Sequence, residues 1–121
     1  MKAEDRNYLL FLDDILLSMQ RIQEYISDLE YNEFIRDYKT VDAVIRNFEI
    51  IGEAVHKLPK AIKLKYPSLP WDEIYLFRNR ISHEYFGIDY EIVWQIATIH
   101  LPENRKEIEA IIKKEKPDSQ A

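Results

Sequence analysis

Near the N-terminus, Tyr8, Leu12, Ile15, Met19, Ile22, Ile26 and Leu29 recur at alternating spacings of four and three. A strand would scatter these residues over both of its faces, whereas a helix gathers them into one heptad-like stripe running about six turns. Leu9, Phe11 and Leu16 widen the stripe, so this helix is expected to pack against more than one neighbour.

The remaining pattern is also helical. Asn32 is placed to cap a short EFIRD helix, and Thr40 to cap VDAVIRNFEIIGEAVHKL. In that segment Val41, Val44, Ile45, Phe48, Ile51, Val55 and Leu58 form an apolar face that includes Gly52. A mid-helix glycine costs about 1 kcal/mol relative to alanine, so a close-packed neighbour is expected there. Pro59 stops the helix, and AIKLKYPSLP reads as a helical turn followed by a loop.

Pro70, with Asp72 and Glu73 after it, starts WDEIYLFRNRISHEYF, and Gly87 is its expected stop. Asp89 caps a last helix, with Ile88 and Val93 at hydrophobic-staple spacing and Pro102 expected to kink or split it. The end, KKEKPDSQA, reads as frayed. These elements predict an all-α, up-and-down bundle of four main helices with short extra helices: one domain over residues 1–115 and a flexible tail over 116–121.

Seventeen basic against 22 acidic residues leave a formal charge of −5. That excludes an extended surface coating nucleic acid by counterion release, but not a local basic cleft. The absence of cysteine removes disulfide frameworks and thiolate metal sites. No apolar run approaches the roughly 20 residues that span a bilayer, so a soluble, cytoplasmic protein is expected.

The densest chemistry is RNRISHEYF at residues 78–86. Histidine moves protons near neutral pH, and an arginine fork matches phosphate oxygens. Asn79 and His83, four apart, share a helix face, while Arg78 is five residues before His83, about 140° around. The residue types suffice for metal-free RNA cleavage, with His83 moving a proton and Arg78 holding phosphate. Spacing alone leaves other uses open: a docking or modification site, or the polar edge of a buried helix. Arg80 also pairs in sequence with Glu84 at i,i+4, and Tyr85 falls on the apolar stripe as a core aromatic. His56 and His100 lack partners at ligand spacing and read as surface or structural residues, Trp71 and Trp94 as core anchors, and Asp13 with Asp14 as a poor metal site.

IIGEAVHKLP at 50–59, YPSLPWDEIYLFRN at 66–79 and RISHEYFGIDYEIVW at 80–94 resemble the HEPN superfamily, specifically its HepT-like branch of small ribonuclease toxins, from about Asp5 to Ile112. The family's motif falls on Arg78, Asn79 and His83 and extends to Tyr85. The resemblance implies a homodimer with two motifs facing across a cleft. It implies a metal-independent endoribonuclease that uses no cofactor and leaves a 2′,3′-cyclic phosphate, with Arg78 and His83 catalytic and Asn79 and Arg80 supporting or binding phosphate. It also implies a toxin–antitoxin system in which a minimal nucleotidyltransferase of the MntA type transfers AMP from ATP onto Tyr85. The alternative is a catalytically inactive HEPN binding module that docks a nucleotidyltransferase or nucleotide.

Overall fold

A computed structural model describes residues 3–82 and 89–116, with the side chains of residues 3–7 and 78–82 outside the description. The N-terminal stripe becomes α1, Ala3–Ile26, with Leu12, Ile15 and Ile22 fully buried and Met19 nearly so. Leu29 lies past its end, where its N–H bonds to the Ile26 carbonyl in a turn. A short α2, Tyr31–Arg36, leads to α3, Tyr38–Lys57, and then to a short α4, Lys60–Lys65. The next helix, α5, covers Trp71–Ser82. The last helical stretch comprises α6, Tyr90–Gln95, a π-helical turn over Ile96–His100, and α7, Leu101–Glu115.

Side-chain pairings give the directions. Lys57 at the end of α3 sits over the ring of Phe11 early in α1. Arg105 and Glu115 of α7 meet Gln23 and Tyr8 of α1 in reverse order. Phe77 and Tyr75 of α5 likewise meet Phe48 and His56 of α3. The fold is therefore the expected all-α up-and-down bundle: α1 between α3 and α7, with α5 on α3. Short α2 docks through Tyr31 and Phe34 onto Trp94 of α6. Gly52 is buried on α3, the helix that both α1 and α5 cover. Among the described residues there is no strand, and no helix is long and apolar enough to cross a membrane.

Three local expectations are corrected. Asn32 does not cap α2: the helix starts after Glu30, whose N–H donates to the Glu33 carboxylate at 2.9 Å. Nor does Thr40 cap α3. Asp37 does, accepting from the Thr40 N–H at 3.2 Å and from its hydroxyl at 2.7 Å. An ionised carboxylate is the stronger acceptor, so the hydroxyl becomes its donor. These Thr40 hydrogen bonds hold the Asp37 carboxyl below its ordinary range.

Pro102 does mark a disturbance in the final helix, though the helix continues through it. Its missing N–H would leave one carbonyl of an α-helix unsatisfied, and its ring would clash with the preceding turn. The π turn widens the helix just before it, with the Leu101 N–H reaching back to the Ile96 carbonyl. A single-turn π-bulge of this kind absorbs the disruption while the helix continues.

The third correction concerns Lys113–Glu115, expected to fray, which complete α7 instead. Glu115 explains why. Its carboxylate accepts from Tyr8 Oη at 2.8 Å, from Lys65 Nζ at 2.9 Å and from Tyr66 Oη, while only 8% of its side chain is exposed. Next to it, Lys116 bonds Asp13 at 2.6 Å, which accounts for one of the adjacent acids of α1. Burial pushes the Glu115 carboxyl up, but hydrogen bonds from Lys65, Tyr66 and Tyr8 outweigh it and hold the group below its ordinary 4.5. Burial, reinforced by the bond to Glu115, pushes both tyrosine hydroxyls above their ordinary 10.0.

A depressed carboxyl stabilises the fold above its unfolded value and loses that contribution as pH falls through its folded value. The tyrosines' contribution is present below 10.0 and is lost as pH rises through their raised values. Glu115→Ala is therefore expected to cost about 1–3 kcal/mol at neutral pH, because it takes the acceptor from the hydroxyls of two half-buried tyrosines. Urea unfolding of both proteins across pH checks this: the gap should be full at neutrality and narrow as pH falls well below 4.5. A gap that is small at neutrality, or that does not change with acid, would contradict the clasp.

Candidate functional site

The site begins with what fixes α5. Pro70 supplies the first carbonyl, accepting from the Ile74 N–H at 2.9 Å, and Asp72 and Glu73 sit in the first turn where the helix dipole favours negative charge. Trp71 is buried, and its indole N–H donates to the Tyr66 carbonyl at 2.9 Å. Further along the helix Phe77 is buried edge-on against Phe48, with ring centroids 4.9 Å apart at 82°. The helix is thus locked to the core by aromatic anchors at its start and its middle.

Arg78, Asn79 and Arg80 follow Phe77 directly, in the helical backbone of α5. By register they fall about 100°, 200° and 300° around the axis from Phe77, so Asn79 lies farthest from the buried line. His83 and Tyr85 lie outside the described residues, as does Gly87, the expected stop. The structure brings together the scaffold for Arg78, Asn79 and Arg80 and leaves the convergence of Arg78 with His83 as an inference from sequence.

A groove of about 500 Å³ opens beside α5. Its apolar wall includes Ile74, Leu76, Phe77, Ile92 and Ile96, with Glu73, Gln95, His100 and Asn104 as polar members. Leu76 is 48% exposed, a large apolar side chain left in solvent beside the motif. On another surface of α5, Tyr75 stacks on His56 of α3, with centroids 5.0 Å apart and planes 18° from parallel. His56 is exposed and Tyr75 half-buried. The sequence places His56 at the surface correctly, but its partner could be found only once α3 and α5 were paired. Trp71 is a core anchor as expected, and Trp94 packs on Phe34 with centroids 5.1 Å apart. Among the described residues no three histidine, aspartate or glutamate side chains converge to hold a metal ion.

The arrangement is a short helix clamped to a helical core beside an open groove, its backbone running on from Phe77 through Arg78, Asn79 and Arg80. A helix bundle of this order carrying this motif is the architecture of the HEPN ribonuclease class. The chain matches the ribonuclease HepT-like family over residues 15–111, and it belongs to that family. It is 48% identical over 103 residues to a Methanocaldococcus jannaschii protein named "Putative RNase MJ0127", covering 85% of each chain. It is also 34% identical over 113 residues to the "Probable ribonuclease HepT" of Thermococcus cleftensis, covering 93% of this chain and all of that relative. No solved structure matches the chain.

Proposed function

We propose that this protein is a metal-independent endoribonuclease that acts as the toxin of a toxin–antitoxin pair. The observation that carries the reading is the coincidence of membership in the ribonuclease HepT-like family with an intact Arg78-Asn79…His83 motif. A base removes the proton of an RNA 2′-hydroxyl, and the oxygen attacks the neighbouring phosphorus. The P–O5′ bond breaks, the leaving oxygen takes a proton from an acid, and a 2′,3′-cyclic phosphate remains. His83 serves as one of the two proton carriers. Arg78 binds the phosphate oxygens and steadies the charge that develops on them, assisted by Asn79 and Arg80.

One protomer supplies one motif histidine, so the second proton carrier is the equivalent motif of a second copy facing it across a homodimer cleft. The apolar groove and exposed Leu76 beside α5 support that pairing. Two sets of arginines in one cleft also reconcile RNA binding with a net charge of −5, because the field is focused where the substrate enters.

Silencing follows from the same electrostatics. A nucleotidyltransferase antitoxin transfers AMP from ATP onto the Tyr85 phenolic oxygen, releasing pyrophosphate. The new phosphodiester then occupies the donors that the RNA phosphate needs.

Cleavage of a short RNA is expected to continue unchanged in excess EDTA and to yield fragments ending in a cyclic phosphate, identified by mass spectrometry. Loss of cleavage in EDTA with recovery on adding a divalent cation would overturn the mechanism.

A further inference from the structure

Tyr75 packs against the core and stacks on His56, which stands exposed at the surface, and the placement of the pair is specific. The two rings come from different helices, α3 and α5, which are themselves locked together through Phe48 and Phe77. Tyr75 is half-buried and covers one face of the imidazole at 5.0 Å, while His56 is exposed. The result is a flat ring held in a fixed plane at the surface. Arg78 lies three residues beyond Tyr75 on α5, one helical turn and about 4.5 Å along the axis.

We propose that His56, held in plane by Tyr75, is a base-stacking subsite for single-stranded RNA, taking the nucleobase next to the phosphate bound at Arg78. This rests on the ribonuclease reading for the identity of the ligand. Single-stranded RNA is bound by pairing backbone-phosphate contacts with flat rings on which unstacked bases lie, and such stacking tolerates any base because each has a π face. A ring pre-oriented on Tyr75, the residue one turn before Arg78 on α5, meets that requirement. A ring free to rotate would first have to be ordered by the ligand. The subsite adds affinity and fixes the strand's position without moving a proton, so it adjusts where cleavage occurs along an RNA and not how the bond is broken.

The test uses the full-length protein and a short, mixed-sequence 2′-O-methyl RNA, which lacks the attacking hydroxyl, with binding read by fluorescence anisotropy. A cleavable RNA of the same sequence is run in parallel. His56→Ala is expected to bind the 2′-O-methyl RNA about tenfold more weakly, and His56→Phe, which keeps a stacking ring, to stay within about twofold of the wild type. Equal binding by His56→Ala and the wild type would overturn the subsite, as would an equal loss in both variants, which would point to a hydrogen bond or charge instead of stacking. If the wild type cleaves while His56→Ala binds normally, the subsite fails and the nuclease reading stands. If the wild type binds through His56 but does not cleave, the nuclease reading fails and the subsite stands. Absence of any RNA binding by the wild type would overturn both.

Discussion

His83→Ala is expected to reduce RNA cleavage by about 10²–10⁴-fold, the range associated with losing one positioned proton carrier. RNA binding should change far less, because the phosphate contacts assigned to Arg78 remain. Arg78→Ala is expected to lose both affinity and rate, since an arginine that holds phosphate oxygens contributes to binding and to stabilising the charge that develops in the transition state. Arg78→Lys should recover only part of the loss: an ammonium supplies charge but not a planar fork. Single-turnover cleavage combined with anisotropy on the 2′-O-methyl RNA separates the two effects. His83→Ala cleaving at the wild-type rate would remove the histidine from the mechanism, and a purely affinity-based defect would leave it a binding residue.

The second large effect is on the scaffold. Phe48 is 5% exposed on α3 and meets Phe77 edge-on, one residue before Arg78. Phe48→Ala removes a buried ring and opens a cavity under α5, with an expected cost of about 3–5 kcal/mol. Against a total stability of about 5–15 kcal/mol for a domain, that approaches global unfolding. Urea denaturation should show a lower midpoint with an unchanged slope if the protein still unfolds in one step. A loss below about 1 kcal/mol would mean that α5 is held mainly by something other than this aromatic contact. Activity should fall with the folded fraction, because Arg78 and Asn79 belong to the helix that Phe77 anchors.

What could be read from the sequence follows from the range of each interaction. The stripe of α1, the apolar face of α3 and the Asp89 cap of α6 are written in spacings of three and four, and the structure has all three. The cap of α3 is ambiguous in sequence because Asp37 and Thr40 are both good capping residues, and only the hydrogen bonds show which is the acceptor. Pro102 signalled a disturbance in the last helix correctly, but the π turn that absorbs it is a geometric solution that no residue type announces. The Glu115 clasp was out of reach for a different reason: Tyr8 and Glu115 are 107 residues apart, and nothing local distinguishes Glu115 from the other acids of α7.

The candidate site divides the same way. Arg78, Asn79, His83 and Tyr85 stand within eight residues of one another and are legible as a motif. The stacking of His56 on Tyr75 depends on how α3 and α5 pack, so it is visible only in three dimensions.

The central claim is that this chain destroys RNA through Arg78 and His83 and is silenced at Tyr85. Induced expression of the wild type beside Arg78→Ala and His83→Ala, with growth, cellular RNA and intact protein mass followed in the same cultures, tests it most directly. Growth arrest with RNA fragmentation in the wild type, absent from both variants at equal folded yield, is the predicted result. An active co-expressed nucleotidyltransferase should relieve the arrest and add AMP to the wild-type mass. Wild-type protein of unmodified mass that accumulates without arrest and without RNA fragments would contradict the account.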